Sequence, residues 1–157
     1  MHPAATAEDE RLNDIAMRHR HREGPLLPIL HEVQAEFGYV PENTALVIGR
    51  ALNLSRAEVH GVISFYHDFR REPAGRHVLK VCRAEACQAA GGRAMAEQLR
   101  SRLGIDFGET AADGSVTIEA VYCLGLCAVA PAVMLDGHVI GRVDGSAVDR
   151  LAQEVAR

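Results

Sequence analysis

The sequence predicts an α/β protein in which a small helical bundle precedes a second domain with the element order β-α-β-β-β-α. Three observations lead to this prediction. Apolar residues recur every three or four positions in the first half, short apolar or alternating segments occur in the second, and the turn-forming run Pro73-Ala-Gly75 separates the two patterns. The first ten residues show no apolar periodicity. We therefore expect a tail or short helix over residues 1–24, the helical bundle over 25–72 and the second domain over 76–157.

Three helices are predicted in the bundle. Apolar residues spaced by three and four over residues 26–37, followed by Gly38, indicate a helix with one buried face. A second helix is predicted from 43 to about 51. A third begins at Ser55, because Ser55 and Glu58 have the spacing of a capping box, in which each side chain bonds the backbone N–H of the other.

The second half predicts a sheet with covering helices. Asp136-Gly137 supplies the two positive φ angles of a tight hairpin turn. A final helix is predicted from Ser146, with Asp149 as its capping partner. The order of elements matches a reduced thioredoxin-like sheet covered by helices. The predicted strands cover residues 77–81, 116–122, 132–135 and 138–143, and the remaining helix covers 92–103.

Composition limits the class of protein. The 157 residues are 48% apolar and 24% charged, which is typical of a globular protein, and the net charge of -4 gives no reason to expect nucleic acid as a partner. The first thirty residues lack the apolar stretch of a signal peptide, and four cysteines are too few for a disulfide scaffold, so a cytoplasmic protein is expected. The longest uncharged run, Ala120 to Leu135, is shorter than the roughly 20 apolar residues of a spanning helix, so no transmembrane segment is expected.

All four cysteines lie in the second half, in two pairs with the spacings C-x4-C and C-x3-C. Cys82 and Cys123 each follow a predicted strand, and Cys87 and Cys127 complete the two pairs. Strands joined through a helix run parallel with a right-handed crossover, so the loops after them leave the sheet at the same edge. Four thiolates from two short loops are a donor set suited to a metal centre.

The spacing alone leaves three alternatives open. Structural zinc is typically held by cysteines two to four residues apart, so these pairs lie near the edge of that range. A 2Fe-2S cluster needs two thiolates on each of two irons and tolerates wider loops. The third alternative is reduced or redox-active cysteines without a metal. Small residues in both loops let backbone N–H groups approach the sulfurs, and Arg83 adds a nearby positive charge, which favours an anionic cluster.

Motifs in both halves resemble a known family. The second cysteine pair lies in Cys123-Leu-Gly-Leu-Cys127-Ala-Val-Ala-Pro131, and the first half contains Phe37-Gly-Tyr-Val-Pro41 and Val62-Ile-Ser-Phe-Tyr66. Together they resemble the thioredoxin-like 2Fe-2S subunit of the NADH-oxidising module of respiratory complex I and its soluble relatives, over about residues 25–145. The resemblance implies one 2Fe-2S cluster with four ligands, which are Cys82, Cys87, Cys123 and Cys127.

The first cysteine pair suggests a particular branch of this family. Complex I members commonly show C-x-G-T-x-C followed by His, whereas this chain has Cys82-Arg-Ala-Glu-Ala-Cys87-Gln88. That departure resembles the gamma subunit of soluble NAD-dependent, molybdenum-containing formate dehydrogenases. The resemblance implies an enzyme complex that oxidises formate to CO2 and reduces NAD+ to NADH. In such a complex, FMN and NAD lie on a diaphorase subunit and molybdopterin on another.

The sequence agrees with the placement of these cofactors on other subunits. It contains no G-x-G-x-x-G or Walker motif in the required context. We therefore expect no substrate-converting site on this chain. The equivalent subunit of complex I or of an NAD-reducing hydrogenase is the alternative function. Alternatives from other classes are a zinc-binding module or a thiol-disulfide oxidoreductase, although the latter lacks the C-x-x-C spacing.

Other side chains have simpler interpretations. The run Arg18-His-Arg-His-Arg22 is expected to be a solvated helix face, with docking of an acidic partner as the alternative. Phe65, Tyr66 and Phe69 are expected in the core or at the seam between the halves, with an interface role as the alternative. The histidines that we exclude as metal ligands are His19, His21, His60, His67 and His138.

Overall fold

The structure, a computed structural model, describes residues 6–156. Contacts divide the chain into two compact units, one ending at Pro73 and the other beginning at Ala74. Residues 1–5 of the predicted tail and residue 157 of the predicted second domain lie outside the described residues. Among residues 6–156, no helix has both the length and the apolar character needed to span a bilayer.

Four helices form the first unit: α1 (Ala7–His19), α2 (Leu26–Phe37), α3 (Thr44–Leu52) and α4 (Arg56–Phe65). The ends of α2 and α4 follow the sequence signals. Gly38 ends α2 with a φ of 80°, a left-handed conformation that glycine adopts without a side-chain clash. Both hydrogen bonds of the capping box between Ser55 and Glu58 are present at the start of α4.

Helix α1 differs from the sequence expectation of a tail or short helix outside the bundle. It is a 13-residue helix whose N-terminus is closed by a capping box between Thr6 and Asp9. Leu12, Ile15 and Ala16 are fully buried in the core of the first unit. The charged residues around these three positions conceal a short apolar stripe, and only packing against α2 and α3 shows that it is part of the core. The other buried side chains of this core include Ile29, Leu30, Val33, Ile48, Val59 and Ile63.

The second unit contains a four-stranded mixed sheet with the strand order β2-β1-β3-β4. Strands β1 and β2 are parallel, as the helical crossover predicts, and β3 is antiparallel to both β1 and β4. The elements in chain order are β1 (His77–Cys82), α5 (Glu85–Ala89), α6 (Gly92–Leu103), β2 (Val116–Val121), a 3-10 turn (Cys127–Val129), β3 (Val133–Leu135), β4 (His138–Ile140) and α7 (Gly145–Val155).

Helices α6 and α7 bury the apolar face of this sheet. Leu79 and Ile118 of the two parallel strands, Leu99 of α6 and Leu151 of α7 belong to one buried cluster. The hairpin between β3 and β4 has the predicted turn, since both residues of Asp136-Gly137 have positive φ. The predicted order of strands and principal helices is therefore confirmed for the second unit.

The structure contradicts two local predictions. Helix α7 is capped by Asp144, whose carboxylate accepts the N–H of Ala147 at 2.9 Å, so the predicted Ser146–Asp149 cap is wrong. Asp149 instead pairs with Arg102 at 2.9 Å. Strand β4 ends at Ile140 rather than at residue 143, because the backbone turns at Arg142, whose φ is 53°.

Candidate metal centre

The two cysteine loops leave the sheet at the same edge. In the parallel register of β1 and β2, Cys82 lies opposite Val121, and the N–H of Arg83 donates to the carbonyl of Val121 at 2.8 Å. Cys82 ends β1, and Cys123 lies two residues beyond the end of β2. The edge that the sequence predicted from a parallel crossover is therefore the edge where both loops begin.

The first pair, Cys82 and Cys87, is buried. Both residues are 2% exposed, and the Cys87 thiol donates a hydrogen bond to the sulfur of Cys82. Helix α5, which the sequence did not predict, turns Cys87 back toward the end of β1. The start of α6 packs closely on this turn, because a Cβ at Gly92 would lie 2.5 Å from the carbonyl oxygen of Cys87. Glycine at this position allows the close approach.

The second pair, Cys123 and Cys127, is exposed. Its sulfurs lie 3.7 Å apart, and the N–H of Gly125 donates to the sulfur of Cys123 at 3.4 Å. Cys123 has a φ of 97°, which is unusual for a residue with a side chain. Such backbone conformations cost free energy and are found where the surrounding structure holds them, often at functional sites.

Backbone hydrogen bonds connect the two pairs. The N–H groups of Cys123 and Leu124, at the start of the second loop, donate to the sulfur of Cys82 at the end of the first. The N–H of Ala84 donates to the same sulfur. Four cysteines from two distant segments are thus brought to one edge of the sheet.

Opposing effects act on the thiol pKa values. Burial raises the pKa of Cys82, but hydrogen bonds from the N–H of Ala84, from the Cys87 thiol and from the second loop outweigh it and lower that pKa overall. Burial, together with donation to Cys82, raises the pKa of Cys87. The hydrogen bond with Cys123 raises the pKa of Cys127. Within the buried pair, negative charge is therefore better stabilised on the sulfur of Cys82 than on that of Cys87.

Two pairs of thiols at one sheet edge are the donor set of a binuclear cluster, because a 2Fe-2S cluster takes two thiolates on each of two irons. Within residues 6–156, no group of three or more Cys, His, Asp or Glu side chains is arranged to hold a metal ion. Backbone N–H groups already directed at sulfur are the donors that stabilise an anionic cluster. The side-chain nitrogen of Gln88, beside Cys87, is buried without an acceptor among the described residues.

Apolar side chains lie beside the first cysteine pair, where Leu124 and Leu126 are half-buried. Arg83 lies with its guanidinium 4.8 Å from the centre of the Phe107 ring, and the described contacts give it no sulfur partner.

One feature at this edge was missed by the sequence analysis. Tyr122 is 78% exposed immediately before Cys123, although it was assigned to the strand, and its only sequence signal is its position next to a cysteine. The peptide bond between Ala130 and Pro131 is cis, a conformation that proline ahead of a strand allows but does not require. The carbonyl of the following Ala132 accepts the N–H of Cys82 at 3.1 Å.

Two of the excluded histidines have other partners. His19 is bonded to Glu32, and His60 lies 3.5 Å from the guanidinium of Arg71. None of the interactions that the structure gives for residues 6–156 joins a histidine to one of the four cysteines.

Comparison with known proteins identifies the family. Residues 12–156 match the thioredoxin-like 2Fe-2S ferredoxin family. The chain is 35% identical over 150 residues to a subunit of the NADH-quinone oxidoreductase of Pseudomonas aeruginosa, covering 94% of this chain and 90% of that protein. It is 34% identical over 133 residues to the HndA subunit of the NADP-reducing hydrogenase of Solidesulfovibrio fructosivorans, covering 85% of this chain and 78% of that one.

A solved structure gives the same result. A chain in the crystal structure of an air-oxidised NAD+-reducing NiFe-hydrogenase superposes with a TM-score of 0.72 and 26% identity, covering 88% of this chain. The protein spans about a quarter of that hydrogenase chain, 24% of its length. The chain therefore belongs to the thioredoxin-like 2Fe-2S ferredoxin family, and the predicted α/β fold is confirmed.

Proposed function

We propose that Cys82, Cys87, Cys123 and Cys127 hold one 2Fe-2S cluster and that the chain is an electron-transfer subunit of an NAD-linked oxidoreductase. The observation that carries this proposal is the pairing of four sulfurs at one sheet edge, joined by N–H donors from one loop to the sulfur of the other. Membership of the 2Fe-2S family supports the cluster, and the relatives named above are subunits of NAD- or NADP-linked enzymes.

The residues of this chain would have distinct roles at the cluster. Cys82 and Cys87 provide the buried pair of thiolates, and Cys123 and Cys127 provide the exposed pair. The N–H groups of Ala84, Leu124 and Gly125 lie at the sulfurs, where they stabilise negative charge. When bound, the cluster supplies a centre that accepts and returns one electron at a time. Because Cys123 and Cys127 are exposed, we infer that this centre is accessible to a redox partner.

The partners follow from the family rather than from this chain. We infer that an FMN-containing diaphorase subunit binds NAD and exchanges electrons with the cluster. The sequence Cys82-Arg-Ala-Glu-Ala-Cys87-Gln88 supports a formate dehydrogenase, in which a molybdopterin subunit oxidises formate to CO2 and the diaphorase reduces NAD+ to NADH. Complex I and an NAD-reducing hydrogenase are equally supported by the relatives.

Metal analysis tests the cluster. The full-length chain, purified without oxygen, is expected to be brown and to contain about two irons and two acid-labile sulfides per chain. Chemical reduction is expected to produce a rhombic EPR signal. A colourless protein with one zinc per chain would overturn the assignment and favour the structural zinc module.

Identification of the native complex tests the parent enzyme. Tagged protein is purified from its own cells under mild conditions, and the accompanying chains are identified by mass spectrometry. A molybdopterin subunit is the expected result. A nickel-iron subunit or the membrane arm of complex I would replace formate dehydrogenase with the corresponding alternative.

A further inference from the structure

One buried side-chain group beside the cysteines has no partner in the described chain. The side-chain nitrogen of Gln88, which follows Cys87 in α5, is buried, and no atom of residues 6–156 accepts its N–H groups. Burying an amide donor without an acceptor costs free energy, so nearly all such groups in folded proteins are paired. This carboxamide therefore points to an acceptor that residues 6–156 do not supply.

The backbone holds Gln88 in a fixed position. Its N–H donates to the carbonyl of Ala84 at 3.0 Å, and its carbonyl accepts the N–H of Gly91 at 3.2 Å. These bonds lie at the junction of α5 and α6, where Gly92 packs against the carbonyl of Cys87. The unpaired nitrogen therefore belongs to a residue whose main chain is fully bonded.

Gln88 lies one helical turn after Ala84. Residues four apart share a helix face, and helical side chains tilt toward the N-terminal end of the helix. Ala84 is half-buried against Cys82 and Cys87, and its N–H donates to the sulfur of Cys82. We therefore expect the carboxamide of Gln88 to extend back toward a residue that already donates to the cysteine site.

The cysteine sulfurs already have donors of another kind. Backbone N–H groups and a neighbouring thiol donate to Cys82, the N–H of Ala132 donates to Cys87, and that of Gly125 donates to Cys123. None of the four sulfurs accepts the side-chain nitrogen of Gln88. A 2Fe-2S cluster adds bridging sulfides to the four thiolates, and these are anionic acceptors for an N–H group.

We propose that Gln88 donates a hydrogen bond from its side-chain nitrogen to a bridging sulfide of the cluster and thereby raises the reduction potential. The inference rests on the proposed function, because the acceptor belongs to the cluster. One-electron reduction adds a negative charge, so a fixed N–H donor stabilises the reduced form more than the oxidised form. Unlike the backbone donors, this donor is removed by a single substitution.

Gln88→Met tests the effect on the potential. Methionine is also unbranched and flexible, so it fills the same space without an N–H donor. We expect the equilibrium constant for reduction to fall by about tenfold, which lowers a one-electron potential by about 59 mV. The potential of the full-length chain, purified without oxygen, is measured by redox titration followed by EPR. Gln88→Leu serves as a second variant if the methionine variant does not fold.

Gln153→Met is the matched control for this titration. It makes the same chemical change at a residue that is exposed on α7, so its potential is expected to equal that of the unmodified chain. An unchanged potential in Gln88→Met with full iron content would overturn the inference. An equal shift in Gln153→Met would overturn it as well.

Pulsed EPR tests the hydrogen bond itself. The chain is produced with 15N in its glutamine side-chain amides, and the cluster is reduced with dithionite. A 15N hyperfine coupling is expected in the unmodified chain and in Gln153→Met and is expected to be absent from Gln88→Met. A loss of packing alone would not remove this coupling from the spectrum of a loaded cluster. Its absence from the unmodified chain, or its persistence in Gln88→Met, would overturn the inference.

Iron and acid-labile sulfide separate this inference from the proposed function. An unmodified chain with about two irons and two sulfides but without the 15N coupling retains the proposed function and excludes the role of Gln88. An unmodified chain without iron overturns the proposed function, and the acceptor for Gln88 is then lost with it.

Discussion

Single residues at the sheet edge determine the surroundings of the cysteine sulfurs. Cys82 receives hydrogen bonds from three backbone N–H groups and one thiol, and these bonds stabilise negative charge on its sulfur. Cys123 has a left-handed backbone that turns its loop toward Cys82. Neither property follows from the residue type, because both depend on the path of the backbone around it.

Serine substitutions test the ligand assignment at this scale. Cys123→Ser and Cys127→Ser replace a soft thiolate with a harder oxygen ligand, so the iron content is expected to fall by about tenfold or more. Iron and acid-labile sulfide are measured after anaerobic purification. Tyr122→Ser is the matched control, since Tyr122 is exposed beside Cys123 and carries no sulfur. Full iron content in either cysteine variant would contradict the assignment.

Helices and strands hold the cysteine loops against the sheet. The parallel pairing of β1 and β2 brings both loops to one edge, and α5 returns Cys87 to the end of β1. The close approach of α6 to Cys87 requires glycine at position 92. The hairpin of β3 and β4 is fastened to β1 through Asp136, whose carboxylate accepts the N–H of Val78 at 2.8 Å and bonds His77 at 2.7 Å.

Gly92→Ala tests the junction of α5 and α6. The added methyl group would lie 2.5 Å from the carbonyl oxygen of Cys87, so the backbone has to move, and overpacking of this kind typically costs about 1–3 kcal/mol. We expect a lower melting temperature and reduced iron content. Gly61→Ala is the control, because a Cβ there meets nothing within 4 Å and alanine favours the helix interior. Equal melting temperatures of the Gly92→Ala variant and the unmodified chain would contradict this prediction, because the backbone between α5 and α6 would then accommodate the methyl group without cost.

The hydrogen bonds between Asp136 and strand β1 predict that the free energy of unfolding depends on pH. Burial raises the pKa of Asp136, but hydrogen bonds from His77 and Val78 outweigh burial and lower that pKa overall. A lowered pKa means that the carboxylate stabilises the folded state above its ordinary pKa, and this contribution is lost as the pH falls through the lower folded value. Asp136→Asn is therefore expected to reduce stability at neutral pH and to flatten its decline below about pH 4.

Urea unfolding of this variant at several pH values measures the effect. Asparagine also accepts the left-handed backbone at this turn, where φ is 49°, so the substitution chiefly removes the charge. Glu154→Gln on α7 is the control and is expected to keep the acid dependence of the unmodified chain. If the free energy of unfolding of Asp136→Asn changes with pH as it does in the unmodified chain, Asp136 is not a source of acid sensitivity.

The whole molecule consists of two units with separate cores. Leu30 is fully buried in the helical unit and Leu99 in the sheet unit, and the two belong to different clusters. The four cysteines of the candidate metal centre all lie in the second unit, and the buried cluster of the helices lies in the first.

Core truncations test this separation. Leu30→Ala is expected to destabilise the first unit by about 2–5 kcal/mol and to leave the iron content and visible absorption unchanged. Leu99→Ala is expected to destabilise the second unit by a similar amount. Its iron content and visible absorption are therefore expected to be lost at lower urea concentrations. Circular dichroism follows the helices, and visible absorption follows the cluster. Loss of iron in Leu30→Ala would show that the units fold as one.

The sequence was sufficient for features that depend on neighbours along the chain. The helix ends at Gly38 and Ser55, the turn at Asp136-Gly137 and the order of the strands follow from local spacing and backbone preference. Because strands joined through a helix run parallel, the shared edge of Cys82 and Cys123 could also be predicted.

Tertiary structure alone decided the features that depend on packing between distant segments. The apolar stripe of α1 is buried only because α2 and α3 lie beside it, and Phe65 is exposed although its neighbours suggest a core. The hydrogen bonds from the second cysteine loop to Cys82 join residues about forty positions apart. Periodicity reports which residues share a face of an element, but burial is determined by the surface that packs against that face.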